Sequence, residues 1–294
     1  MTSGLEVVID GKNILGEGIF WNEADGHLWW TDIESSRLFA LEPRSGRLET
    51  VEAPERVGSF APRRNGKGFL AAFASGFALW DPRSGERHDL HAFEAHHPTT
   101  RLNDGRTDRQ GRFVAGGFDE GGGGRPISSV VRVDPDLTVT ELFDEVGCAN
   151  GLCFSPDGRT MYFADSTRAE MWAFAYDPET GSLGERRTVA SLKGRRPGIP
   201  DGSCVDEEGC VWNAEWDGGA VVRWTPEGEI DRVIELPVPR PTCTAFGGPG
   251  LDTLFITTAR VWMSDDQLAR APLSGALFAI KPGLRGVLDA PFAG

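Results

Sequence analysis

The chain has 294 residues, 39% hydrophobic and 25% charged, a globular composition with enough length for a sizeable core. Its net charge is −14, and no basic cluster exceeds pairs such as Arg186-Arg187 and Arg195-Arg196, which excludes the clustered Lys and Arg of a nucleic-acid surface. No window approaches the roughly 18 apolar residues of a membrane span.

Met1 to Asp10 carries neither a basic n-region nor an apolar h-region, so no signal peptide and a cytoplasmic location are expected. Within this segment Leu5-Glu6-Val7-Val8-Ile9 reads as a strand. A repeated unit then begins: a polar residue, a short apolar run, a turn rich in Asp and Gly, and an aromatic strand. The first copy is Gly16 to Trp21, a turn from Asn22 to Gly26, and His27 to Asp32. A weak second copy turns at Arg63 to Gly66. The third is Leu102 to Gly105 with a turn at Asp108 to Gly111, and the fourth is Ala149 to Phe154 with a turn at Ser155 to Gly158. The fifth opens on Ile199-Pro200-Asp201-Gly202-Ser203 and turns at Asp206 to Gly209. The sixth, also weak, turns at Gly247 to Gly250.

A second turn follows each first one, as in Glu42 to Gly46, Asp81 to Gly85, Asp134 to Asp136, Asp177 to Gly181 and Thr225 to Gly228, with a vestige at Leu273 to Gly275. Each repeat therefore holds about four short strands in a meander, at a period of roughly 40–50 residues. Six such repeats predict an all-β, six-bladed β-propeller in one domain spanning 1–294, rather than a β-sandwich or two smaller β domains. The strand at Leu5–Ile9 is placed to join the last blade and close the ring, which removes an exposed sheet edge. Two insertions interrupt the pattern. Gly121 to Gly124 reads as a flexible loop inside blade three, and Trp262 to Leu273 reads as a short capped helix in blade six.

Counting back from the first-turn glycine places the candidate site. Asn103, Asn150 and Asp201 each stand eight residues before Gly111, Gly158 and Gly209, and Glu17 stands nine before Gly26 in a turn longer by one. Four of the six innermost strands thus carry an oxygen-bearing side chain at one depth around a central channel. Such oxygens suit a hard divalent cation, and two converging carboxylates call for a counter-charge. Singly, each residue could equally be an Asx-turn or strand cap satisfied by local backbone. Arg101 lies two before Asn103, so both point to the same side of a strand.

The five cysteines are odd in number and lack CxxC spacing, against a disulfide framework, a zinc finger or a redox pair. His88, His91, His96 and His97 fit no metal motif and read as a surface loop. No serine sits in a GxSxG context.

Leu15-Gly16-Glu17-Gly18, Arg101 to Gly105 with Asp108 and Gly111-Arg112, Asn150-Gly151 with Phe154 to Gly158, Pro200-Asp201-Gly202, and Phe246 to Pro249 with Leu254 to Ala259 resemble the signatures of the SMP-30/gluconolactonase family, in order over nearly the whole chain. The resemblance implies a six-bladed propeller with one divalent cation in the channel and hydrolysis of sugar lactones. It implies Glu17, Asn150 and Asp201 as metal ligands, Asp201 also as general base, and Arg101 and Asn103 as substrate contacts. Oxygen ligands leave Ca²⁺, Zn²⁺, Mn²⁺, Mg²⁺ and Fe(II) open. Where several relatives carry a Gly-Thr-Met segment followed by acidic residues, this chain reads Gly116-Gly117-Phe118-Asp119-Glu120, so Asp119 and Glu120 are the candidates for the substrate acid. The partner expected is a small sugar lactone. The alternatives are hydrolysis of another ester or phosphotriester on the same metal, and a non-catalytic calcium-binding propeller.

Overall fold

Turn chemistry cuts the chain into strands of 4 to 9 residues, too short to bury an apolar face alone. The computed structural model describes residues 4–294; Met1–Ser3, the start of the segment read for a leader, lie outside the described residues. Strand β1 (Glu6–Ile9) precedes the blades. Blade one is β2–β5 (Gly16–Asn22, His27–Asp32, Arg37–Glu42, Arg47–Glu52) and blade two is β6–β9 (Val57–Pro62, Phe69–Phe73, Gly76–Trp80, Arg87–Ala92). Blade three is β10–β13 (Thr100–Thr107, Phe113–Asp119, Ser128–Val133, Val139–Val146) and blade four is β14–β17 (Ala149–Phe154, Thr160–Asp165, Glu170–Tyr176, Leu183–Ser191). Blade five is β18–β21 (Ile199–Val205, Val211–Trp216, Ala220–Trp224, Ile230–Glu235). Blade six is β22–β24 (Pro241–Gly247, Thr253–Thr258, Leu277–Ile280) completed by β1, in the order β1-β24-β23-β22. The six blades form a propeller, closed by the N-terminal strand as expected.

The first strand of each blade lies innermost and is almost wholly buried, whereas an outer strand such as β21 is mostly exposed. These six inner strands touch in a cycle, β2-β6-β10-β14-β18-β22 and back to β2. Apolar residues pack between neighbouring blades. Between blades one and two, Phe20, Trp29, Phe60 and Phe69 meet edge to face, with ring centroids as near as 4.9 Å. Because each core layer is shared, no blade is stable without its neighbours.

Two expectations are refined. The predicted helix is one short turn-and-a-half, α1 (Asp265–Arg270), capped by Ser264 with a reciprocal bond from Gln267. The histidines are not all in a loop. His88 and His91 stand exposed on β9, the outermost strand of its blade, which has no further strand to cover it; only His96 and His97 lie in the loop that follows. Gly121–Gly124 forms a turn between β11 and β12, and a Cβ at Gly121 or Gly124 would collide with Thr99 or Thr167. Among the described residues no helix is long and apolar enough to cross a membrane.

The C-terminal segment 286–294 crosses the far end of the channel. It starts beside blade five, where Gly286 bridges Asp206, and ends beside blade two, where Phe292 bridges Arg63. The Phe292 N–H donates to Pro62 O at 2.8 Å, and its ring is fully buried among Ala61, Leu70, Phe77 and Phe113. Replacing this ring leaves a cavity shared by two blades. Phe292→Ala is therefore expected to cost about 3–5 kcal/mol in a denaturant titration; a loss within error of zero would show that the tail is not a structural strap.

Candidate active site

The four inner-strand residues counted from the sequence line one cavity, of about 380 Å³, at the mouth of the channel. Glu17, Asn103, Asn150 and Asp201 are each at most 9% exposed. A feature invisible in the periodicity aims them. The pairing of each inner strand with its neighbour slips at these positions: between Glu17 and Phe20, Leu102 and Gly105, Asn150 and Cys153, and Pro200 and Ser203. Such bulges bend a strand and redirect one side chain. Gly18 and Gly151 stand in the bulges with φ of 57° and 63°. Gly202 serves close approach instead, since a Cβ there would lie 2.5 Å from Cys243 Sγ.

Hydrogen bonds fix the amides. Asn103 Nδ2 donates to Ala149 O at 2.9 Å and to Asn150 Oδ1 at 3.3 Å, while its Oδ1 accepts from Arg101 Nη1 at 2.6 Å. Asn150 Nδ2 donates to Ser166 Oγ at 2.8 Å, and that hydroxyl donates to Pro200 O at 2.7 Å, next to Asp201. Ser166 therefore ties blade four to blade five behind the cavity.

The carboxylates have no such support. Each has only the backbone N–H of its own next residue, Gly18 at 3.2 Å for Glu17 and Gly202 for Asp201. The nearby guanidiniums are engaged elsewhere: Arg101 pairs with Glu120 at 2.9 Å and Arg106 with Asp289 at 3.1 Å. Burial, then the negative charge of Asp104, pushes the Glu17 carboxyl up to about 8. Burial and the Glu17 charge push Asp201 well above the usual carboxylate range. Two buried acids without a counter-charge must hold protons or a cation. With the Asn150 amide beside them, the donor set is two carboxylates and one neutral oxygen, which fits a hard divalent ion. Among the described residues no three His, Cys, Asp or Glu side chains gather to form a metal cluster, so the fit rests on this mixed set.

The family model for the SMP-30/Gluconolactonase/LRE-like region matches residues 15–260. The chain belongs to this family. It is 37% identical over 300 residues to a 6-deoxy-6-sulfogluconolactonase of Pseudomonas putida, covering all of both chains. It is 40% identical to an L-arabinolactonase of Azospirillum brasilense over 291 residues, 98% of this chain and 95% of that one. Among solved structures, the calcium-binding protein regucalcin from Agrobacterium tumefaciens superposes with a TM-score of 0.93 at 30% identity, over 99% of this chain and 98% of that one.

In this family member the two acids that follow β11's glycines have different surroundings. Asp119 is fully buried, and both its oxygens are occupied: Thr99 Oγ1 donates at 2.6 Å, Arg125 Nε at 2.8 Å, and the N–H groups of Gly121 and Arg125 add to these. Arg125 and Thr99 hold its carboxyl well below the usual range. It secures the glycine turn. Glu120 instead bridges Arg101 and Arg56, at 2.9 and 2.8 Å, at the rim. None of the four clustered histidines lines the cavity.

Counting from the turn missed several neighbours. Cys148 is partly exposed in the cavity, its sulfur 3.6 Å from Asn150 Nδ2, and burial pushes its thiol up. Asp104, one residue past Asn103, points deeper, accepts from Leu152 N–H at 2.8 Å, and is itself raised by burial. Arg106 spans the channel below it, donating to Ile19 O and Ser203 O. The alternation Arg101, Asn103 along one strand was the available signal, but a bulge at Asn103–Asp104 breaks it.

The raised acids carry a pH consequence. In cation-free protein, folded Glu17 keeps its proton up to about pH 8, whereas the unfolded chain releases it near 4.5. Between these values the folded state binds more protons, so stability falls as pH rises. The melting temperature of chelator-stripped protein is expected to drop between about pH 5 and pH 8, and added divalent cation should recover it at the upper end. A pH-independent melting temperature would contradict the arrangement.

Proposed function

We propose that the protein hydrolyses a sugar lactone to the open-chain aldonic acid, with a divalent cation at Glu17, Asn150 and Asp201. The observation that carries this reading is the uncompensated Glu17–Asp201 pair on the cavity floor, with Arg101 and Asn103 beside it. Likeness to lactonases over the whole chain supports the same chemistry.

Bound there, the cation would supply Lewis-acid polarisation of the lactone carbonyl and keep the adjacent carboxylates ionised. Asp201 takes the general-base role: ionised, it accepts the proton of the water whose oxygen adds to the carbonyl carbon. The ring C–O bond then breaks, and the leaving oxygen takes the proton that Asp201 accepted, which restores the carboxylate. Arg101, held by Asn103 Oδ1 at 2.6 Å, presents its Nη2 hydrogens to ring hydroxyls, and the Asn103 oxygen beside it can accept from one. Glu120, not the occupied Asp119, is the acid placed to assist them, since it already sets the Arg101 guanidinium.

A binding-only role for the cation is the second reading, favoured by the likeness to calcium-binding regucalcin. It requires neither Arg101 nor Asn103 at the site. Chelated protein reloaded with Ca²⁺, Zn²⁺, Mn²⁺, Mg²⁺ or Fe(II) and assayed for acid release on a lactone panel separates the two. In that assay Asp201→Ala should lower kcat on the order of 10²–10⁴-fold. The variant should remain folded, because it removes one of two repelling buried acids. Full activity in Asp201→Ala would sink the proposal.

A further inference from the structure

Above its floor the cavity has two unlike walls. Blades three and four supply the polar groups of Arg101, Asn103, Asn150 and Ser166, with the Phe118 ring 5.2 Å from the Arg101 guanidinium and so already covered by it. Blades five, six and one supply an apolar side with Ile199, Trp216, Trp262 and Leu15. In a ring of six, blade six stands opposite blade three, so Trp262 stands across the mouth from Arg101.

Trp262 is 72% exposed, more than any other large hydrophobic side chain among the described residues. Its φ is 57°, the left-handed region that bulky residues rarely enter. The conformation is imposed from both sides. Just before it, the N–H groups of Arg260 and Val261 both donate to Ile14 O, at 3.0 and 2.8 Å. Just after it, Ser264 caps α1. A locally unfavourable backbone that its surroundings over-determine points to use of what it displays. What it displays is an indole at the cavity mouth. Behind it Trp216 packs edge-on, with centroids 5.9 Å apart and planes at 65°. Trp216 is in turn fixed by the Arg240 guanidinium, 4.8 Å from its ring and held by Asp217 at 2.6 Å and by Val261 O.

We propose that Trp262, backed by Trp216, is the platform on which one face of the substrate ring stacks. The inference rests on the lactone-hydrolase reading and narrows it: the preferred substrate is a polyhydroxylated ring lactone with a face made of C–H groups. The indole face is electron-rich and attracts the polarised C–H bonds of a sugar ring. The hydroxyl edge then turns to Arg101 and Asn103, so one ring satisfies both walls. A volume of about 380 Å³ lies at the small end of ligand pockets and suits one such ring.

The test compares wild type, Trp262→Ala and Trp262→Phe on a sugar lactone with saturating divalent cation. Trp262→Ala is expected to raise KM about tenfold with kcat within about twofold, the pattern of lost ground-state and transition-state binding together. Trp262→Phe should recover most of the loss. Because the side chain is exposed, its removal opens no cavity, and an unchanged melting temperature should accompany the KM effect. Unchanged KM, or kcat falling at constant KM, would overturn the platform. A second arm measures, by calorimetry, binding of D-glucono-1,5-lactam, which resists opening. Weaker binding to Trp262→Ala than to wild type supports the platform; equal binding, or none to wild type, overturns it. If wild type opens no lactone with any cation, the hydrolase reading falls while the lactam comparison still decides the role of Trp262.

Discussion

Closure of the ring is the constraint on which everything else depends. Strand β1 pairs antiparallel with β24, so the first strand of the chain completes the last sheet. Without it β24 would present an open edge, and blade six would lack its outer strand. Two further contacts lock the same seam: Leu15 bridges Ala259, and Asn13 bonds Gly275 O through both its backbone and side-chain nitrogens at 2.8 Å. Only in a closed ring do six inner strands face a common axis, and only then do residues from blades one, three, four and five meet.

The axis concentrates charge, and depth sorts it. At the mouth stand Glu17 and Asp201 with the amides of Asn103 and Asn150. One step deeper Asp104 is stabilised by the N–H groups of Leu152 and Gly105. Below it Arg106 crosses to blades one and five. Burial disfavours its charge, but the carboxylates of Asp289 and Asp104 outweigh that cost. Asp289 arrives on the C-terminal strap, so the segment that covers the far end also neutralises this guanidinium. The positive charge within the channel is therefore largely consumed from below. The acids at the mouth are left without a cationic partner of their own, which is why burial raises them.

Much of this was legible in the sequence because its causes are local. Turn residues dictate where strands end, so six double-turn units revealed six blades. The distance from a turn to the middle of its strand is short and regular, so Glu17, Asn103, Asn150 and Asp201 could be placed at one depth before any contact was seen. The rest depends on contacts between blades. Ser166 matters because its hydroxyl reaches Pro200 O, 34 positions away. Arg106 matters because Asp289, 183 positions on, meets it. Asp119 and Glu120 are adjacent and chemically alike, yet Arg125 and Thr99 consume one while Arg101 and Arg56 orient the other.

The sequence by itself determined the blade count, the closing strand and the ring of oxygen-bearing residues, because strand length, turn type and side-chain alternation act within a few residues. The tertiary structure decided which of those oxygens stay uncompensated, which of two adjacent acids orients Arg101, and where Trp262 projects. Those outcomes follow from the bulges that re-aim inner-strand side chains and from partners that only ring closure brings together. They are set by burial and pairing across blades, which no local pattern encodes.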